Sequence, residues 1–183
     1  MNMNDSREIA ATPEAVWAAI LDPEVLRQCV PGCEEMQGSP EEGFDATVVQ
    51  KVGPVKAKFS GKVTLSDMVA PQSLRLSGEG KGGAAGFAKG EATVTLAPSG
   101  AGTLLTYDVE AKVGGKLAQL GSRVIDGFAK KMADQFFENF QNVVEGDAAA
   151  EEAPAVETVA TEETAVEEQP QEEKKGFFKR LFS

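Results

Sequence analysis

Residues 114–146 have the sequence GGKLAQLGSRVIDGFAKKMADQFFENFQNVVEG. Gly114 and Gly115 interrupt the preceding pattern, and Gly146 follows the end of the stretch. Such glycines are typical of helix boundaries. We therefore predict one helix over residues 114–145, roughly 45 Å long at 1.5 Å per residue. Apolar residues recur on one face of it at spacings of three and four, namely Leu117, Leu120, Val124, Phe128, Met132, Phe136 and Phe140.

Gly121 and Gly127 lie inside this predicted helix. A glycine in a helix interior costs about 1 kcal/mol relative to alanine, so each position indicates that another group comes close. Close packing of the helix on a sheet is one interpretation, and space left for a ligand is the other.

The residues before the helix have a period of two. Over residues 55–66, small or apolar side chains alternate with polar ones, as in a strand with one buried face. Residues 2–11 form a plausible first strand, and Thr12-Pro13 and Asp22-Pro23 are typical helix starts. Similar alternation and turn signals predict six strands over residues 33–113, including 44–52, 74–80, 92–96 and 105–113.

The predicted order is therefore strand, two helices, six strands and a long helix. This is an α+β fold in which a curved antiparallel sheet of about seven strands wraps around the C-terminal helix.

The inward positions of the sheet are apolar, and many of them are small. Small side chains leave volume that larger ones would fill, which favours an apolar ligand cavity under the helix. A tightly packed core with closely approaching backbones is the alternative. The predicted cavity lining is Phe59, Gly61, Leu76, Gly78, Phe87, Val94, Tyr107, Val109, Leu117, Leu120, Gly121, Val124, Ile125, Phe128 and Met132.

Two aromatic residues have a specific expected place at this cavity. Tyr107 is expected to point inward, where its hydroxyl could donate to a ligand carbonyl or to a core backbone carbonyl. Phe87 lies in a glycine-rich run, residues 78–90, which is interpreted either as a gate or as a simple hairpin turn.

Catalytic and metal sites are not predicted. The inward positions supply almost no His, Asp, Glu, Lys or Cys, so no catalytic pair is expected. Cys29 and Cys33 flank a Pro-Gly turn, but the chain contains no histidine and no second cysteine pair. Two reduced, partly buried thiols are expected instead of a disulfide or a metal site.

The net charge of −11 is unevenly distributed along the chain. Residues 1–146 carry 14 basic and 19 acidic side chains, without a basic stripe interleaved with aromatics, so nucleic acid binding is not expected. The start of the chain lacks an apolar signal segment, and no apolar run reaches the length of a membrane span. A cytoplasmic protein is expected.

The last 37 residues differ in composition from the rest. Residues 147–173 contain ten acids, no base and no aromatic residue, which predicts a disordered tether. Residues 174–183 combine basic and apolar side chains in the pattern of an interfacial membrane-binding helix. A peptide that docks on a partner protein is the alternative. The predicted membrane-binding residues are Lys174, Lys175, Phe177, Phe178, Lys179, Arg180, Leu181 and Phe182.

Four runs resemble the family of the carbon monoxide dehydrogenase G protein, which has the helix-grip fold of the START/polyketide-cyclase-like (SRPBCC) superfamily. They are DPEVLRQCVPGCE (22–34), KVGPVKAKFSGKVTL (51–65), GKGGAAGFAKGEATV (80–94) and GGKLAQLGSRVIDGFAKKMADQFF (114–137).

The resemblance implies a non-catalytic accessory protein that recruits a molybdenum-containing carbon monoxide dehydrogenase, or another molybdenum hydroxylase, to the inner face of the cytoplasmic membrane. Together with the predicted cavity, it suggests a bound lipophilic quinone, menaquinone or ubiquinone, that accepts electrons. A purely structural anchor or assembly factor is the alternative, and an enzyme of the cyclase or hydrolase type is less well supported.

Overall fold

The computed structural model describes residues 1–151 and the side chains of residues 1–146. Its element order confirms the predicted sequence of strand, two helices, six strands and helix. The elements are β1 (Asn2–Ile9), α1 (Pro13–Ile20), α2 (Pro23–Cys29), β2 (Cys33–Ser39), β3 (Gly43–Val52), β4 (Val55–Val69), β5 (Ser73–Lys81), β6 (Phe87–Ser99), β7 (Gly102–Gly114) and α3 (Ser122–Glu151), with short 3-10 turns at Gly83–Ala85 and Ala118–Leu120.

The two short helices begin where the sequence predicts. The Thr12 hydroxyl accepts a hydrogen bond from the Ala15 amide at 3.3 Å, and the Asp22 carboxylate accepts one from the Glu24 amide at 2.8 Å. Each cap satisfies an amide that has no partner inside its helix, and a proline follows each cap at the first helical position. Local capping chemistry therefore fixes both helix starts.

The seven strands form one antiparallel sheet in the order β1-β7-β6-β5-β4-β3-β2. Every strand from β2 to β7 pairs with its neighbour in sequence, and β1 closes the order by pairing along β7. The register places apolar and small residues opposite one another on one face, as in the pairs Leu76 with Ala92 and Val94 with Tyr107. This face is the concave side of the sheet, and the helices lie on it.

The long helix begins later than the sequence predicts. β7 continues to Gly114, a 3-10 turn occupies Ala118–Leu120, and α3 starts at Ser122. Gly115 and Gly121 have φ angles of +74° and +84°, values that side chains disfavour, and these two residues turn the chain between strand and helix. Leu117, Leu120 and Gly121 thus precede α3, so their assignment to it was wrong, as was the stop at Gly146, because α3 continues to Glu151.

Two clusters of buried side chains hold α3 against the sheet. The main core joins α1, α2 and several strands to the C-terminal half of α3 through Phe137, Phe140 and Val144. The second core lies at the other end of the sheet, where Ile125 of α3 packs with a cluster that contains Val52, Phe59, Ala85 and Leu117. The helix is therefore seated at both ends.

The buried face of α3 differs from the predicted stripe. Ile125, Phe137, Phe140 and Val144 are buried, whereas Val124 is 40% exposed. Val124 lies over the β3–β4 turn, where its Cγ1 would be 3.5 Å from a Cβ placed on Gly53. The prediction failed at Val124 because only two separate core clusters, and not one continuous surface, receive side chains of the helix.

Candidate ligand cavity

A cavity of about 370 Å³ opens on the concave face of the sheet. Its wall runs across the strands from β3 to β7 and is almost entirely apolar. The inward-facing residues of this wall are Ala46, Val48, Phe59, Gly61, Val63, Leu76, Gly78, Gly80, Ala88, Gly90, Ala92, Val109 and Ala111. The volume falls within the range of small-molecule sites.

Small side chains in the middle of the sheet create this space. Gly78 pairs directly with Gly90, and Gly61 pairs with Gly80. Glycine is required at Gly61 and Gly90, because a Cβ there would lie 2.7 Å from the Glu79 carbonyl oxygen or 2.4 Å from that of Glu110. At Gly80 a Cβ would meet no atom closer than 4.0 Å. Close backbone approach and open volume therefore occur side by side in this wall.

Of the fifteen residues predicted to line the cavity, five are in its wall: Phe59, Gly61, Leu76, Gly78 and Val109. The others lie around it. Val94 and Tyr107 belong to the main core, Leu117 and Ile125 to the second core, Leu120 and Phe128 pack against the second core, Met132 is partly buried, Gly121 joins the 3-10 turn to α3, and Phe87 and Val124 are exposed.

No residue of α3 within the described part of the chain lines the cavity. A Cβ placed on Gly121 or Gly127 would meet no atom within 4 Å. Neither glycine is therefore a point of close packing, and neither forms the roof of a tunnel, so both interpretations of these residues were wrong. Gly121 serves the turn into α3, and Gly127 is exposed on the helix. The sheet alone shapes the cavity wall.

A charged cluster at the seam between β1 and α3 was not predicted. The Arg7 guanidinium contacts the carboxylates of Asp134 at 2.5 Å and Asp5 at 3.0 Å. It also lies over the ring of Phe137, 5.7 Å from its centre, and that ring stacks on Tyr107 at 4.9 Å. The alternation in β1, which places Arg7 on the same face as Ile9, is the sequence signal that could have indicated this cluster.

The surroundings of Arg7 and Tyr107 shift both pKa values. Burial opposes the charge of Arg7, but its hydrogen bond to Asp134 and the nearby Asp5 raise the pKa above its ordinary value. Burial raises the pKa of Tyr107, and Arg7 partly offsets this rise. Both side chains thus keep their protons at neutral pH. Because neither lines the cavity, the cluster acts at the seam and supplies no acid–base pair to the cavity wall.

A wider depression of about 710 Å³ lies on the opposite face of the sheet. Its wall includes Lys62, Glu79, Lys89 and Glu91, whose charges alternate in sign. A surface of this kind is typical of a solvated outer sheet face. We therefore assign the ligand site to the apolar cavity on the concave face.

The two cysteines are free thiols. Cys29 is fully buried, and burial raises its pKa to about 11. Cys33 is half-buried, and burial also raises its pKa. Raised pKa values disfavour the thiolate, which is the reactive form of cysteine.

Two further searches cover the described residues only. Within residues 1–146, no group of three or more Cys, Asp or Glu side chains is arranged to hold a metal ion. None of the described helices combines the length and hydrophobicity needed to span a membrane.

A curved antiparallel sheet with a long C-terminal helix and an apolar cavity on its concave face defines a helix-grip domain of the START-like class. The family model for CoxG, the G protein of carbon monoxide dehydrogenase, matches residues 6–145. The chain therefore belongs to the CoxG family, as the sequence resemblance predicted.

Solved structures agree with this assignment. A conserved protein from Geobacillus kaustophilus is 32% identical, with a TM-score of 0.75 over 80% of this chain and 97% of its own. A protein from Thermus thermophilus is 16% identical, with a TM-score of 0.61 over 81% of this chain and 99% of its own. One from Chromobacterium violaceum is 19% identical, with a TM-score of 0.58 over 79% and 96%. The last two similarities concern the fold alone. No curated protein matches the sequence.

Proposed function

We propose that this protein is a non-catalytic accessory protein of a molybdenum-containing carbon monoxide dehydrogenase. In this proposal it binds a lipophilic quinone in the concave-face cavity and recruits the dehydrogenase to the cytoplasmic membrane, where the quinone accepts electrons. Membership of the CoxG family supports the link to the dehydrogenase. The observation that carries the ligand proposal is the apolar cavity of about 370 Å³.

The lining of the cavity suits a flat apolar ring. Gly78 and Gly90 face each other across the β5–β6 pair, so an aromatic ring can lie directly on the backbone there. Val48, Phe59 and Val109 supply apolar contacts at its edges. A quinone ring with an isoprenoid chain buries apolar area on such a wall, at about 25 cal/mol per Å² of apolar surface removed from water.

The absence of an acid–base pair in the described cavity wall favours binding over catalysis. The inward-facing wall residues are all apolar or glycine. The ionised groups of the seam cluster, Arg7, Asp5 and Asp134, contact one another between β1 and α3. General acid–base catalysis needs a titratable group within hydrogen-bond reach of the reacting atom.

The membrane part of the proposal rests on residues 147–183, most of which lie outside the described residues. The composition of residues 147–173 predicts a tether, and that of residues 174–183 predicts an interfacial anchor. An anchor of this kind would keep the domain near the quinone pool. Membrane recruitment would then depend on the last ten residues, whereas ligand binding would depend on residues 1–146.

The test begins with the lipids that copurify with the full chain. Organic extraction followed by mass spectrometry is expected to find menaquinone or ubiquinone, and the quinone-loaded protein is expected to support turnover of the dehydrogenase. A cavity without quinone, combined with dehydrogenase turnover that does not respond to added quinone, would contradict the proposal and leave a purely structural anchor.

Deleting residues 174–183 separates the two parts of the proposal. Flotation with liposomes is expected to lose the truncated protein, while its extracted quinone content stays close to that of the full chain. Loss of quinone from the truncated protein would contradict the assignment of the ligand to the cavity.

A further inference from the structure

Three connections meet at one end of the sheet. They are residues 51–56 around the β3–β4 turn, residues 81–87 between β5 and β6, and residues 112–124 between β7 and α3. The Leu117 amide donates to the Ala85 carbonyl at 3.0 Å, which joins the second segment to the third. Val124 lies against Gly53, which joins the third to the first. We call these three segments the basic loop end.

The charge of the basic loop end is opposite to that of the whole domain. Its three segments carry six basic side chains and no acidic one: Lys51, Lys56, Lys81, Lys112, Lys116 and Arg123. Lys81 pairs with Glu79 at 3.1 Å. The other five have no carboxylate within 4.0 Å among the described residues. Glu110 and Asp126 are the acids that flank the third segment in sequence.

The opposite end of the sheet provides an internal comparison. Its connections, residues 39–43, 67–73 and 99–102, contain Glu41, Glu42 and Asp67 and no basic residue. Antiparallel topology places these connections away from the basic loop end. The domain is therefore electrically polarised along its strands, with excess positive charge at only one of these two ends.

Large apolar side chains are exposed at the basic loop end. Phe87 is 45% exposed and Val124 is 40% exposed. Phe87 borders the 3-10 turn Gly83–Ala85, and its ring lies against Gly114. The second core lies beneath these residues and includes Phe59, which also lines the cavity. The exposed apolar residues therefore sit over the end of the sheet that leads to the cavity wall.

We propose that the basic loop end docks on an anionic lipid bilayer, with Phe87 and Val124 entering the interfacial layer. The lysines and Arg123 are attracted to anionic headgroups, and an exposed aromatic side chain among basic residues is typical of interfacial binding. This proposal extends the proposed function, because a lipophilic quinone has to pass between a bilayer and the cavity. It assigns a membrane contact to the folded domain, separate from residues 174–183.

An environment-sensitive fluorophore tests this contact in the full chain. Phe87→Cys and Val124→Cys, each in a Cys33→Ser background, are labelled with a nitrobenzoxadiazole dye. Met68→Cys is the matched control, because Met68 is 43% exposed in the opposite end beside Asp67. The Cys33→Ser protein without an added cysteine reports any labelling of buried Cys29.

The proposal predicts brighter, blue-shifted emission from positions 87 and 124 when vesicles of phosphatidylcholine and phosphatidylglycerol are added, and none from position 68. Lys51→Gln with Lys56→Gln is expected to weaken vesicle partitioning roughly fivefold for each lysine. Lys130→Gln with Lys131→Gln, in the middle of α3, removes the same charge and is expected to have a smaller effect.

Emission from positions 87 and 124 that stays unchanged, whether or not the protein floats with the vesicles, would overturn the proposal. So would an equal shift at position 68, or a shift that requires the dehydrogenase and not the vesicles. Extracted quinone is measured in the same preparations. Quinone present without a shift would overturn only the docking surface, whereas a shift without quinone would overturn only the proposed ligand.

Discussion

Arg7 is a residue that connects separate parts of the domain. It lies on β1, contacts Asp134 of α3 and Asp5 of its own strand, and covers the ring of Phe137. Its side chain is only partly exposed, so it contributes packing of its methylene groups as well as charge. An arginine with several partners stabilises more than an isolated surface ion pair does.

Arg7→Ala is expected to lower the free energy of unfolding by about 1–2 kcal/mol, through lost hydrogen bonds and lost packing. Asp5→Ala is expected to lower it by less than about 1 kcal/mol, because that carboxylate is about half exposed. Urea denaturation of the three proteins measures both values. Equal stability of Arg7→Ala and the parent chain would contradict this role.

Cys29 makes stability depend on pH in the alkaline range. Its pKa is about 11 in the folded protein, against an ordinary value of 9.0. Between these values the folded state holds a proton that the unfolded state has lost, so the free energy of unfolding falls as the pH rises from about 9 to about 11. Below pH 9 the contribution is complete.

The difference between the parent chain and Cys29→Ala isolates this effect from other alkaline titrations. Denaturation midpoints are expected to fall less steeply above pH 9 for Cys29→Ala than for the parent. An identical slope in the two proteins would show that Cys29 does not titrate as described.

At the scale of elements, α3 is held mainly by its C-terminal half. Gln141 donates to the Glu8 carbonyl at 2.6 Å, Glu145 accepts from the Ala10 amide at 3.0 Å, and Asn139 donates to the Cys29 carbonyl at 3.1 Å. Towards its start, the helix rests on apolar contacts of Ile125 and Phe128 with the second core. The two halves thus differ in how firmly they are attached.

Hydrogen exchange is expected to reflect this difference. Amides of residues 137–144 should exchange more slowly than those of residues 126–132, because the second set can open without breaking the polar contacts to β1 and α2. Exchange followed by mass spectrometry measures both peptides. Equal protection along the helix would contradict a helix anchored at one half.

Phe140 and Val124 give a matched test of which helix face is buried. Phe140 is fully buried, so Phe140→Ala is expected to lower the free energy of unfolding by about 3–5 kcal/mol. Val124→Ala is expected to lower it by less than about 1 kcal/mol, because Val124 is exposed. Similar losses from the two substitutions, measured by thermal or urea unfolding, would contradict the observed packing.

The sequence predicted elements best where a local cause determines them. The caps at Thr12 and Asp22 and the alternation in β4 predicted their elements closely. The start of α3 was missed because Leu117 and Leu120 have helical spacing, while the positive φ of Gly121 becomes visible only in three dimensions. The exposure of Val124 was missed because it depends on where two separate cores lie.

At the scale of the whole molecule, the sheet determines both the cavity and the polarity. Small inward residues of β4, β5 and β6 predicted an apolar cavity, and the sheet has one, but the residues expected from α3 do not line it. Helix side chains contact the sheet through tertiary packing at its two ends, which alternation cannot indicate. The seam cluster around Arg7 was missed because Arg7 and Asp134 are more than a hundred residues apart.

The most direct measurement of the central claim is the quinone content of two alanine variants on β6. Ala92 faces the cavity, whereas Ala97 is exposed on the other face of the same strand. Ala92→Leu adds volume inside the cavity and is expected to remove most of the extracted quinone, while Ala97→Leu retains it, with both proteins folded by circular dichroism. Equal quinone in the two variants, or none in the parent chain, would contradict a quinone held on the concave face.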